Sequence, residues 1–123
     1  MPQPDRNPQP LNVAVLCGVL SRPAEVRTLP SGDRLATLQV TVPRAEGPDE
    51  TVPVSVADPS STVCSLDTGA PVLVTGRVRR RFFRAGGRTA SATEVVAHTV
   101  VPAGRRKQAA AAVAAAAGLL TTT

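Results

Sequence analysis

The chain has 123 residues, 42% of them apolar, which suits one domain with one packed core. Its net charge of +5 is uneven: residues 1–75 hold five arginines against eight acids, whereas residues 76–123 hold eight arginines and one lysine against a single acid, Glu94. That asymmetry points to a polyanionic partner for the second half, while two well-separated cysteines exclude a disulfide framework and no apolar run reaches the roughly 20 residues of a membrane span.

Residues 1–10 carry four prolines and read as a disordered arm with no secretory-signal pattern, so the expected location is the cytoplasm. Residues 12–20 form a short, Val-rich apolar run, expected to be a buried strand, with Gly18 marking a bulge or bend and Cys17 a small buried hydrophobe. Residues 21–33, with Pro23, Pro30 and Ser31-Gly32, read as turns. Over residues 34–43 apolar and polar positions alternate, with Ala36, Leu38, Val40 and Val42 on one face. A polar loop follows over 44–50, and Val52, Val54 and Val56 then define a second alternating strand. Pro53 removes one ladder donor there, which suits an edge. Asp58-Pro59-Ser60 followed by a Gly69 stop fits a short helix.

Residues 71–83 form the longest expected strand, Gly86-Gly87 signals a hairpin, and residues 90–101 return. Three strands, a helix and a hairpin predict an all-β, five-stranded OB-fold barrel over residues 11–102, with the helix between its third and fourth strands. Residues 103–123 read as a basic linker and an Ala-rich tail, either a frayed helix or disordered.

The strand over 71–83 carries the most specific functional signal. Period-two spacing puts Arg77, Arg79, Arg81 and Phe83 on one face, and Arg84 and Arg88 extend the basic row into the turn. Single-stranded nucleic acid needs cations for its phosphates and flat apolar faces for its bases, and this row offers both. An exposed edge kept soluble by charge explains the arginines but not Phe83. Phe82 falls on the opposite face with Val72, Val74 and Val78. It is expected in the core, where truncation costs about 3–5 kcal/mol. Glu94 is expected to neutralise an arginine across the hairpin. One histidine, His98, no zinc-ligand spacing and no phosphate-cradling loop leave no basis for an enzyme, a metal site or a cofactor.

Several segments resemble the bacterial single-stranded DNA-binding proteins, an OB-fold and usually homotetrameric family. Asn12-Val13 through Leu16-Cys17-Gly18-Val19-Leu20 is similar to that family's opening strand. Arg22-Pro23-Ala24-Glu25-Val26-Arg27, then Pro30-Ser31-Gly32, is similar to its first turn. Gly69 with Val72, Val74 and Gly76-Arg77-Val78 resembles its fourth strand, and Thr93-Glu94-Val95-Val96-Ala97 its last. The resemblance spans residues 12–101 and implies non-specific binding of single-stranded DNA in replication, repair or recombination. It also implies a dimer or tetramer, and a base-stacking role for Phe83. The chain departs from the pattern in two ways. Ser55 falls near a position that is usually aromatic, and residues 119–123 lack the acidic, Phe-terminated tip through which the family recruits partners. A second reading therefore stands beside the first: a degenerate paralogue that acts as a protein-interaction module, pairing with a full-length single-stranded DNA-binding protein.

Overall fold

The computed structural model describes residues 10–121; the proline-rich arm lies almost wholly outside them. Six strands are present: β1 (Ala14–Leu20), β2 (Glu25–Thr28), β3 (Arg34–Val42), β4 (Glu50–Ala57), β5 (Pro71–Ala85) and β6 (Arg88–Pro102). A one-turn helix, α1 (Ser61–Cys64), separates β4 from β5, and α2 (Arg106–Thr121) follows β6.

The strands form one sheet in the order β1-β5-β6-β4-β3-β2, and β1 also pairs with β3 through Val19↔Thr41 and Leu20↔Val40. That extra pairing closes a ring of five strands, β1-β5-β6-β4-β3. All neighbours in it are antiparallel except the short parallel contact of Val54 and Ser55 with Val95 and Val96. Pro53 lies just before that contact, where its missing N–H is not needed by β6.

The alternation in the sequence sets what fills the ring. Ala36, Leu38, Val40, Val54, Val72 and Val74 are fully buried, with Leu20, Val56, Val63 and Val95 completing the cluster. Each fully buried valine or leucine contributes about 1.5–3 kcal/mol by leaving water. α1 plugs this core with Val63. Its first turn is capped by Ser60, whose Oγ accepts from the Val63 N–H at 3.2 Å.

Two glycines permit the closure. A Cβ on Gly18 would overlap the Thr41 carbonyl where β1 crosses to β3, and one on Gly76 would overlap the Val96 carbonyl. Gly76 also sits at a register shift, in which Thr75 pairs with Thr99 and Gly76 with Ala97, leaving His98 as the extra residue of a bulge.

Three readings of the sequence are corrected. β2 lies within the segment read as turns. It is four residues long and fully exposed, held by its ladder with β3 rather than by burial, so it leaves no hydrophobic signature. Cys17 is exposed, not buried: it shares the outward row of β1 with Val15 and Val19, which no element among the described residues covers. Phe82 is not core; it is 65% exposed. Of the two states left open for the Ala-rich tail, it takes the helix: Arg106–Thr121 form one 16-residue helix, long enough to pass the usual ~12–15-residue threshold. Arg106 and Lys107 oppose the dipole at its first turn, and no acid sits there. Packing therefore holds α2: Ala116 is buried and Ala109 and Ala112 are half-buried, against the outer side of β5 and β6. Among the described residues no helix is long and apolar enough to cross a membrane.

Substituting Gly76→Ala is expected to lower stability by about 1–3 kcal/mol or more, because the added methyl meets backbone that cannot rotate away. Gly104→Ala, where a Cβ meets nothing within 4 Å, is expected to stay within about 0.5 kcal/mol of wild type. Urea unfolding with an unchanged slope and a lowered midpoint for Gly76→Ala alone checks this.

Candidate nucleic-acid interface

β5 leaves the ring at Val78. Its last partner on β1 is Ala14, opposite Gly76, and Asn12 then seals the edge. The Asn12 Nδ2 donates to the Val78 carbonyl at 2.7 Å and its Oδ1 accepts from the Val78 N–H at 2.8 Å. On the other side β6 meets β4 only at Val95 and Val96. Residues 79–85 and 88–94 therefore continue as a two-stranded arm of roughly 20–25 Å. Gly86 and Gly87, both at positive φ, close it as a two-residue turn.

The register sorts the arm into two faces. On the outer face Arg77 pairs with Val96, Arg79 with Glu94, Arg81 with Ala92, Phe83 with Ala90 and Ala85 with Arg88. On the inner face, continuous with the core side of the strand, Val78 pairs with Val95, Arg80 with Thr93, Phe82 with Ser91 and Arg84 with Thr89. The parity expected for Phe82 is thus correct, since it does share a side with Val72, Val74 and Val78. What is missing is a wall opposite it, because β1 and β4 have both ended.

Of the expected site residues, Arg79, Arg81, Phe83 and Arg88 share the outer face of the arm. Arg79 and Arg81 converge on one carboxylate. The Arg79 Nη2 and Nε lie 2.7 and 3.2 Å from Glu94 Oε1, and the Arg81 Nε lies 3.5 Å from the same oxygen. Glu94 is buried at 8% exposure while both guanidinium groups stay about half-exposed. One negative charge thus orients two cations without cancelling both. Arg81 also stacks over the Phe83 ring, 5.5 Å from its centroid. Arg77 stands apart: it lines a cavity of about 490 Å³ between α2 and the sheet, with Ala112, Ala116 and His98. Arg84 is on the inner face, not the outer, because the pleat alternates at every residue; its Nη2 donates to the Gly87 carbonyl at 3.1 Å.

Sequence reasoning missed the opposite wall of the site. A polar groove of about 290 Å³ runs between the arm and β2, lined by Arg81, Glu25, Val26, Arg27 and Thr37. Arg27 contributes a cation across from Arg81. The only signal for it was its alternating position in a segment dominated by turn residues. Ser55, where a ring was expected to be missing, is buried at 5% exposure in the sheet. Arg80 carried no assigned role and Phe82 was expected in the core; their guanidinium and ring lie 5.3 Å apart.

The site offers charge and flat apolar surface and little else. Among the described residues no group of three or more His, Cys, Asp or Glu side chains is placed to hold a metal ion. No buried side-chain nitrogen or oxygen among them lacks a hydrogen-bond partner. No protein-family model matches the chain, and no curated protein matches it in sequence.

Phe82→Ala and Phe83→Ala are both expected to leave stability within about 0.5–1 kcal/mol of wild type, since neither ring is enclosed. Thermal melts of the two variants check this. A loss of 3–5 kcal/mol for Phe82→Ala would return that ring to the core.

Proposed function

We propose that the closed ring is an OB-type barrel and that the protein binds single-stranded DNA without sequence preference, doing no chemistry on it. The observation that carries this reading is the outer face of the arm. There, Arg79, Arg81 and Arg88 flank the exposed Phe83 and overlook a polar groove whose far wall supplies Arg27. A strand laid in that groove meets cations for its phosphates on both sides and a ring for one base. Binding of this kind suits replication, repair or recombination, where single strands of any sequence are exposed. With few rings, affinity leans on arginine, so binding is expected to be steeply salt-dependent.

Titration of labelled oligo-dT and of duplex DNA across a salt series tests the reading. Tighter binding to oligo-dT, with a steep log–log salt slope, supports it; equal binding to duplex, or none to either at low salt, removes it. Arg81→Ala is expected to reduce that slope by about 0.7, the value for one phosphate contact on a single strand. Phe83→Ala is expected to cost about 1–3 kcal/mol of binding at nearly constant slope.

Self-association belongs to the same proposal. Val15, Cys17 and Val19 form an exposed apolar row along β1, and Leu119 and Leu120 add exposed apolar surface on α2. We propose that the β1 row is covered in a homodimer or homotetramer. The same row is what favours the second reading, an interaction module that pairs with a related barrel. Sedimentation equilibrium is expected to give at least a dimer mass, and Val15→Glu, which places a charge in the row, is expected to give a monomer with an unchanged circular dichroism spectrum. A monomer for the unmodified chain at tens of micromolar removes the self-association.

A further inference from the structure

The inner face of the arm repeats the chemistry of the outer one. Arg80 lies over Phe82 as Arg81 lies over Phe83, at 5.3 and 5.5 Å. Yet the two faces differ in what opposes the cations. On the outer face Glu94 engages Arg79 and Arg81. On the inner face the cross-strand residues of Arg80, Phe82 and Arg84 are Thr93, Ser91 and Thr89, all neutral, so no carboxylate answers the two arginines from the hairpin itself. Phe82 is also the more open ring, 65% exposed against 39% for Phe83.

A hairpin that only needed to stay soluble would have no use for its most exposed aromatic between two arginines whose hydrogen-bond partners on the hairpin, Ser91 for Arg80 and Thr89 and the Gly87 carbonyl for Arg84, carry no charge. The tip provides continuity between the faces. Arg88 sits on the outer side, Arg84 on the inner side one register position away, and between them Gly86 and Gly87 present no side chain. A Cβ at either glycine would meet nothing within 4 Å, so the turn is bare.

We propose that Arg80, Phe82 and Arg84 form a second contact surface for the same single strand, which passes from the outer face round the Gly86-Gly87 tip to the inner face. This rests on the proposed binding of single-stranded DNA at the outer face. Arg80 and Arg84 take phosphates and Phe82 takes a base, so the arm is held between two passes of one strand. The inner contacts are reached only by a strand long enough to round the tip.

The test compares a short oligo-dT of about 8 nucleotides with a long one of about 30, below and above the upper site size of a single barrel. Phe82→Ala is expected to leave the short oligonucleotide unaffected within about twofold and to weaken the long one about tenfold, the factor for one stacked base. Phe82→Trp is expected to keep wild-type affinity for the long one, and Arg84→Ala to lower the salt slope for the long one only. Melting curves accompany each variant. If Phe83→Ala weakens both lengths while Phe82→Ala changes neither, the inner surface is refuted and the outer one stands. Equal weakening of short and long by Phe82→Ala refutes the path round the tip. If neither ring matters at any length, the outer-face reading falls as well.

Discussion

Everything in this fold depends on β1 pairing on both of its edges. It runs beside β5 for most of its length and then, over Val19 and Leu20, meets β3. Closing five strands demands two places where backbone approaches backbone more closely than a Cβ allows, and Gly18 and Gly76 supply them. Closure in turn gives Leu38, Val40, Val54, Val72 and Val74 a common enclosed space. These are medium-sized side chains, and none alone spans the ring. The ring is narrow enough for valine and leucine from facing strands to meet, which is why a chain with two aromatics can still build a core without them.

The same closure creates the arm. β5 and β6 are each fifteen residues long, about twice the length of β1 or β4, so they outrun the ring. Beyond Val78 the hairpin keeps its ladder and loses its walls. Side chains there have no core to enter, and arginine and phenylalanine take both faces. Pairing each ring with a guanidinium two residues back covers part of the ring while leaving its other side open. Glu94, the single acid of the basic half, sits where the arm meets the ring. There one buried carboxylate holds two arginines in place while both guanidinium groups stay about half-exposed.

α2 shows how the remaining outer surface of the hairpin is used. Alanine at positions 109, 112 and 116 lets the helix lie close to β5 and β6, and a cavity persists beside Arg77 where the small side chains do not fill the gap. That placement separates Arg77 from Arg79 and Arg81 although all three lie on one face of one strand. A row on a strand is therefore not one site: its members divide according to which neighbouring element reaches them.

The sequence by itself determined the local geometry. Alternation in β3 and β4 named the core positions, Gly86-Gly87 named the turn, Ser60 the helix cap, and period two assigned Phe82 and Phe83 to opposite sides. These follow from backbone periodicity and need no knowledge of distant residues. Only the tertiary structure decided where the core stops, because parity tells which way a side chain points and not what stands opposite it. Phe82 points to the core side at a level where β1 and β4 have ended, and Cys17 points outward from a strand apolar on both sides. β2 and Arg27 were hidden for a related reason: a strand held by its ladder alone buries nothing, so it leaves no hydrophobic pattern to read.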